Sequence, residues 1–226
     1  SGDVIPKIVR VNFDKRPKES KEFVFPNKCS VCGGDTAITE GDVIVRCINE
    51  ECPSKITKYI EYFVSKAAMN IEGIGKEWIA IFTKSGLVKT PADIYKIKKS
   101  DLHKFERMGD KLAENMLNSI EGSKKTTLKR FIYSLGMRQV GETTADLLAK
   151  YFTSIENFKK ATIEDLENIE GIGEISAKSI YDFLHNDKSK KIIDDLLAVG
   201  VEPIFEKMAI TESKLTGKNV VITGSI

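Results

Sequence analysis

From about residue 55 to about residue 200, apolar residues recur at helical spacing. Ile60, Phe63, Val64, Ala67 and Ile71 keep the i, i+3, i+4, i+7 period of a buried stripe. Ile71-Glu72-Gly73-Ile74-Gly75 interrupts it, and Trp78, Ile79 and Phe82 resume the period until Gly86, a helix-ending glycine. Thr90-Pro91-Ala92-Asp93 predicts a new helix, with an N-cap, proline at the first position and an acid at the third. A further turn begins at Ser100-Asp101-Leu102, and residues 105–109 break it before a helix over Lys111–Ile120. Outside this stretch the pattern is extended. Val4 to Val11 is β-rich, and Val24-Phe25-Pro26 closes that segment. Thr36–Thr39 and Val43–Arg46 alternate around Glu40-Gly41-Asp42 as a hairpin, and Val220–Ile222 reads as a buried-type strand bounded by glycines. Residues 204–213 read as a linker.

The second half of the helical stretch repeats the first. Phe131, Ile132 and Leu135 lead into Met137-Arg138-Gln139-Val140-Gly141, followed by Ala145, Leu147, Leu148 and Tyr151. Thr153-Ser154-Ile155-Glu156 stands in the place of Thr90-Pro91-Ala92-Asp93, and Asp165-Leu166 leads to Ile169-Glu170-Gly171-Ile172-Gly173. Shifted forward by 64, Asp101–Met116 lies on Asp165–Ile180, matching Glu106 with Glu170, Gly109 with Gly173 and Ala113 with Ala177. The second glycine of each interruption falls at 75, 109, 141 and 173, a period that marks internal repetition. Four related helical hairpins, arranged as two pairs, are expected.

A Gly-x-Gly hairpin leaves bare amide N–H groups at a helix N-terminus, where aligned peptide dipoles favour an anion such as phosphate. A single such hairpin is equally an ordinary tight turn between helices; recurrence is what gives it weight. Gly73/Gly75 and Gly171/Gly173 keep both glycines, whereas Arg107 and Gln139 stand where the first glycine of the other two belongs. Weaker amide contacts are therefore expected at Gly109 and Gly141, with Arg107 substituting a charge. Lys76, Arg107, Lys111, Arg138 and Lys178 are candidate charged helpers. Lys124, Lys125, Lys129 and Arg130, between the two pairs, could touch a phosphate backbone or form a solvated linker.

Charge and cysteine usage narrow the picture. The 226 residues carry 35 Lys+Arg against 33 Asp+Glu, so a polyanion partner must be recognised by how charge is placed and not by net charge. No apolar run approaches the roughly 20 residues of a membrane span and no signal peptide opens the chain, so a cytoplasmic, membrane-free location is expected. All four cysteines, Cys29, Cys32, Cys47 and Cys52, fall within one short stretch in a C-x2-C-x14-C-x4-C spacing. Without a secretory signal, four thiolates around a structural zinc are expected in preference to two disulfides. Gly33-Gly34 allows the sharp turn after the first pair.

The repeated hydrophobic-x-Gly-x-Gly pattern, followed by a helix carrying alanine, resembles the helix-hairpin-helix family. That resemblance implies that the hairpin amides hold backbone phosphates of duplex DNA without reading base edges. Four sites at fixed separations would track one minor groove. The order of the whole chain resembles bacterial NAD-dependent DNA ligases. Gly2-Asp3-Val4-Ile5-Pro6-Lys7-Ile8-Val9-Arg10-Val11 resembles the end of their oligonucleotide-binding barrel, and Leu215 to Gly224 resembles the opening of a BRCT domain. Phe63-Val64-Ser65-Lys66, Glu106-Arg107-Met108-Gly109 and Leu135-Gly136-Met137-Arg138-Gln139-Val140-Gly141-Glu142 are similar to that family's own sequence. The implied fold is mostly α and multi-domain. Residues 1–26 would be the severed last strand of the barrel plus a linker, 27–55 a zinc knuckle, 56–203 the helix-hairpin-helix domain, 204–213 a linker and 214–226 the start of the BRCT domain.

The resemblance also implies what this stretch would not do. The family's nucleophile is a lysine in a Lys-x-Asp-Gly motif, and no such motif occurs here. The chain would hold nicked double-stranded DNA, independent of sequence. NAD and Mg would be bound elsewhere in the full-length enzyme, whose adenylation and barrel domains would be its partners. This stretch alone would neither bind NAD nor seal nicks. The alternative is a stand-alone DNA-binding scaffold or the binding domain of a repair nuclease. A nuclease calls for convergent carboxylates around a divalent metal, whereas Asp194-Asp195 and Glu50-Glu51 read as surface acids. A purely structural or protein-interaction role predicts no salt-sensitive DNA affinity.

Overall fold

The computed structural model describes residues 7–38 and 43–206. The β-rich start at Val4, the turn at Glu40-Gly41-Asp42, the strand at Val220–Ile222 and most of the linker before it lie outside the described residues. The chain divides into two compact units, the first ending at Cys52 and the second beginning at Pro53.

In the first unit, residues 7–12 form no strand, and Ile8, Val9 and Val11 are exposed. A β-rich segment with no neighbouring edge has nothing to accept its backbone hydrogen bonds. Its strands form a two-stranded antiparallel hairpin, β1 (Thr36–Ile38) and β2 (Val45–Cys47), in the register Thr36↔Cys47, Ala37↔Arg46, Ile38↔Val45.

The second unit opens with five helices: α1 (Pro53–Val64), α2 (Lys76–Lys84), α3 (Pro91–Ile94), α4 (Lys99–Leu102) and α5 (Asp110–Gly122). The same order then repeats as α6 (Leu128–Ser134), α7 (Glu142–Phe152), α8 (Ile155–Lys159), α9 (Ile163–Glu167) and α10 (Glu174–His185). A final helix, α11 (Asp187–Ala198), packs back on α3 of the first repeat. The equivalence at an offset of 64 is physical: Leu102 and Leu166, Met108 and Ile172, Ala113 and Ala177, Met116 and Ile180 are all buried in one continuous core. The caps repeat too. Asp101 accepts from the Lys98 amide at 3.2 Å, and Asp165 from the Thr162 amide at 3.0 Å. Asp93 accepts from the Thr90 amide at 2.9 Å, as the Thr-Pro-Ala-Asp pattern predicts. Its counterpart lies one residue later than the sequence alignment places it. Ser154 is the N-cap of α8, accepting from the Asn157 amide, while Thr153 takes a left-handed conformation (φ 57°) as the C-cap of α7.

Two further features depart from the periodic reading. The α1 stripe ends at Val64, leaving Ala67 exposed and Ala68 buried. Here the Arg130 guanidinium from α6 donates to the carbonyls of Lys66 (3.3 Å) and Ala68 (3.2 Å), and Asn70 turns the chain with φ 54°. These carbonyls find a cation across the fold instead of the next helical turn. The segment between the repeats is a strand. β3 (Lys125–Thr127) pairs in parallel with β4 (Glu202–Ile204), in the register Lys125↔Glu202, Thr126↔Pro203, Thr127↔Ile204. Pro203 is tolerated because this ladder has only two strands. The halves also meet through α1 and α6, where the Tyr62 hydroxyl donates to the Tyr133 carbonyl at 2.7 Å.

Replacing Arg130 with alanine leaves the Lys66 and Ala68 carbonyls without their charged donor. It should cost about 2 kcal/mol and lower the melting temperature by about 4–8 °C, read by circular dichroism. The carboxyl groups of Asp101 and Asp165 are held below their ordinary value. For Asp101 the Lys104 ammonium acts first and the Lys98 amide second; for Asp165 it is the Thr162 amide and then its hydroxyl. A depressed carboxyl contributes stability above its unfolded pKa of about 3.9, which is lost as pH falls through the lower folded value. The melting temperature should therefore drop with acid below about pH 4, and drop less in the Asp101→Asn/Asp165→Asn double variant.

Candidate functional site

The hairpin of the first unit explains how four cysteines distant in sequence converge. Cys29 and Cys32 flank a tight turn in which Cys29 N–H donates to the Gly34 carbonyl (2.7 Å) and Gly33 N–H to the Cys29 carbonyl (2.9 Å). Gly33 has φ 69°, and a Cβ on Gly34 would press on Asn49 Cβ (3.2 Å) and Cys32 Sγ (3.3 Å). The register Thr36↔Cys47 returns Cys47 to this turn. The Asn49 side chain then accepts from Glu51 N–H (3.0 Å), curling the chain so that Cys52 faces inward.

All four Sγ atoms lie within 4.8 Å of one another, with Cys29–Cys52 at 4.0 Å and Cys32–Cys47 at 3.5 Å. Thiolates around a tetrahedral zinc at a Zn–S distance of about 2.3 Å are about 3.8 Å apart. All four are free thiols. Electrostatics agree with a cation-seeking set. The Gly34 amide pulls the Cys32 thiol down to about 6, and the Cys32 and Val31 amides lower Cys29. Burial, with the neighbouring sulfurs, pushes Cys47 up to about 12. Four thiolates this close repel one another unless a cation sits between them. The donor set therefore fits one closed, structural metal ion with no open position.

In the second unit each hairpin joins two helices of a repeat: α1 to α2, α4 to α5, α6 to α7 and α9 to α10. The residue at the first glycine position is left-handed in all four: Gly73 (φ 81°), Arg107 (64°), Gln139 (64°) and Gly171 (91°). Arg107 and Gln139 thus accept a conformation that costs an L-residue about 1–2 kcal/mol. The backbone consequently gives no reason for the weaker amide contacts expected at the second and third hairpins. What the first glycine adds is close packing. A Cβ on Gly171 would lie 3.1 Å from Leu147 Cδ1 on α7, and one on Gly73 3.7 Å from Met116 Cγ on α5.

The second glycines are different. Gly75, Gly109, Gly141 and Gly173 have φ between −79° and −89°, open to any residue, and a Cβ on any of them would meet nothing within 4 Å. Each is the N-cap of its helix and brings no side-chain cap to the first-turn amides. Elsewhere in this unit Thr127, Ser154, Thr162 and Asn186 cap their helices with side-chain oxygens. Neither conformation nor packing calls for glycine at the four positions. The first-turn amides they start are left bare and open to an approaching group.

The candidate helpers Lys76, Arg107, Lys111, Arg138 and Lys178 are all exposed, as are the hairpin glycines. Lys76 follows the glycine of the first hairpin at the first position of α2, and Lys111 occupies the second position of α5. Acids also stand in these first turns: Glu77, Asp110, Glu142 and Glu174. Asp110 is engaged by Lys99 (2.9 Å) and His103 (3.3 Å), which lower its pKa, Lys99 foremost. The run between the pairs serves the fold. Lys124 pairs with Glu121 (2.7 Å), Lys129 approaches Asp146 (3.9 Å), and Arg130 holds the loop after α1. The third and fourth hairpins are tied together by the Ser179 hydroxyl, which donates to the Arg138 carbonyl at 3.0 Å. Sequence reasoning missed the unused space over the second glycines, although the contrast between glycine and Ser/Thr/Asn N-caps is written in the chain.

Comparison with known proteins agrees with this geometry. The helix-hairpin-helix motif family matches residues 130–193, which contain the third and fourth hairpins. A curated protein named DNA ligase from Brachyspira hyodysenteriae (strain ATCC 49526 / WA1) is 80% identical over 226 residues, covering 100% of this chain and 34% of its own length. DNA ligases of Geotalea uraniireducens (strain Rf4) and Bacillus subtilis (strain 168) are 44% and 38% identical over the whole chain, which spans 34% and 35% of their lengths. The chain thus spans about a third of the curated relatives it matches. Bearing helical hairpins and a four-cysteine cluster, the chain is similar along its whole length to one third of these DNA ligases, and its residues 130–193 match the helix-hairpin-helix motif family.

Proposed function

We propose that this chain is the DNA-holding segment of a bacterial NAD-dependent DNA ligase, gripping nicked duplex through its phosphates while strand joining is carried out elsewhere in the enzyme. The observation that carries this reading is the set of four uncapped, glycine-started helices with open space over each glycine. Amides presented this way bind phosphate without reading bases, as an enzyme acting on any nick requires. Gly73, Gly75, Gly109, Gly141, Gly171 and Gly173 would shape the cradles, with Lys76, Arg107, Lys111, Arg138 and Lys178 adding charge. Adenylation, dependent on NAD and Mg, belongs to parts outside this chain, which has no Lys-x-Asp-Gly motif. Residues 1–26 would be the end of a barrel domain with its linker, and residues 214–226 the start of a BRCT domain. A nuclease-associated scaffold is not favoured, since whole-chain similarity runs to proteins named DNA ligase.

We assign the four cysteines to one structural zinc ion, which fixes the turn and hairpin of the first unit and takes no part in the chemistry. The purified chain should contain one zinc per molecule by elemental analysis. Chelation, or titration to acid as thiolates take up protons, should release it and abolish the shift dispersion of residues 28–52 in nuclear magnetic resonance spectra. Helical signals from the second unit should persist, because its core contains none of these cysteines. A full complement of zinc after Cys32→Ser/Cys47→Ser substitution would refute the assignment.

The phosphate reading is best tested where the fold tolerates change. Aspartate is a good N-cap and suits the φ of Gly75 and Gly173, but it places a carboxylate where a phosphate must sit. Gly75→Asp and Gly173→Asp should keep the melting temperature while weakening nicked-duplex binding by about tenfold each. The slope of log affinity against log salt should fall by about 0.9 for each phosphate lost. Undiminished affinity in the double variant, measured by fluorescence anisotropy across a salt series, would sink the proposal.

A further inference from the structure

Ile175 has no structural task that the fold explains. It occupies the second position of α10, two residues beyond Gly173, and is 77% exposed. Among the described residues of this unit, the other exposed large hydrophobics, Ile81, Tyr151, Ile163 and Ile204, lie between 37% and 52%. Exposure of a branched side chain beside a helix start is unfavourable in itself and is readily exchanged for a polar residue. The other three hairpins have made that exchange, with Glu77, Lys111 and Thr143 at the same position.

Two relations fix where Ile175 points. It stands one helical turn before Ser179, on the same face of α10. Ser179 donates to the Arg138 carbonyl of the third hairpin, so this face looks toward the neighbouring cradle. At the repeat offset of 64, Ile175 is also the equivalent of Lys111 in the second hairpin. A cation at this site can reach a phosphate. An isoleucine cannot, yet it stands exposed at the start of α10, one turn before the Ser179 that bonds the third hairpin.

We infer that Ile175 makes an apolar contact in the minor groove of the bound duplex, against the sugar and base edges between the phosphates gripped by the third and fourth hairpins. This rests on the DNA-holding reading above. The contact is hydrophobic and releases no counterions, so it separates from phosphate binding by its insensitivity to salt.

The test uses the whole 226-residue chain and a fluorescent nicked duplex, with affinity followed across a salt series. Ile175→Ala should weaken binding about fivefold at every salt concentration and leave the slope unchanged. Ile81→Ala, in the second turn of α2 and beyond the amides that Gly75 starts, serves as the exposed-hydrophobic control and should bind as the parent does. Ile175→Lys, which puts a cation where Lys111 stands in the second hairpin, should steepen the slope by about 0.9. If the parent chain binds steeply with salt and Ile175→Ala binds equally well, the contact is absent and the inference fails while the DNA-holding reading stands. If the parent shows no salt-dependent duplex binding, both fail. Should Ile175→Ala instead change only the sedimentation of the free protein, the side chain serves contact between copies of this chain and the inference is overturned.

Discussion

At each of its four hairpins the second unit reverses direction between helices through a left-handed residue placed two positions before the glycine that starts the next helix. Gly73, Arg107, Gln139 and Gly171 are these residues. The turn then delivers the next glycine to a helix N-terminus with its side-chain space empty and its amides uncapped. Core and surface are separated at each hairpin by this geometry. The residue between the two turn positions (Ile74, Met108, Val140, Ile172) is buried, while those on either side stay exposed. The same short segment anchors the fold and presents the polar backbone outward. Strain of about 1–2 kcal/mol at Arg107 and Gln139 is the cost of keeping that arrangement without glycine.

The two repeats are joined by contacts that no single repeat contains. Arg130 satisfies carbonyls at the end of α1, β4 pairs beside β3, and α11 reaches back to α3. Each of these holds one pair of hairpins at a set distance from the other. Within the second pair, Leu147 against Gly171 and Ser179 on Arg138 do the same at closer range. A ligand with regularly spaced phosphates is matched by this kind of rigidity, because cradles that drifted would lose the entropic advantage of being placed in advance. On the zinc assignment proposed above, the cysteine cluster would apply the same logic with different chemistry, one cation ordering a turn and a hairpin too small to support a hydrophobic core.

Much of this was legible in the chain. The stripe through Ile60, Phe63 and Val64, the Thr90-Pro91-Ala92-Asp93 cap and the match of Asp101–Met116 with Asp165–Ile180 rest on local spacing and survive unchanged. What misled was also local. Lys125 and Arg130 sit in a run that could read as a backbone contact or a solvated linker because their partners, Glu202 in the ladder and the carbonyls of Lys66 and Ala68, lie far away in sequence. Gln139 and Arg107 read as degraded hairpins because a missing glycine looks like a missing turn, although polar side chains can enter the left-handed region when packing on both sides compels it.

The sequence by itself determined the helices, the period of the repeat and the ligand set of the cysteine cluster. All three follow from propensities and spacings that act over a few residues. Only the tertiary structure decided which basic residues serve the fold and which face outward, that the space over Gly75, Gly109, Gly141 and Gly173 is open, and that Ile175 stands exposed at the start of α10. Those outcomes depend on what each residue meets across the fold, and a one-dimensional pattern carries no record of the space left empty beside a backbone atom.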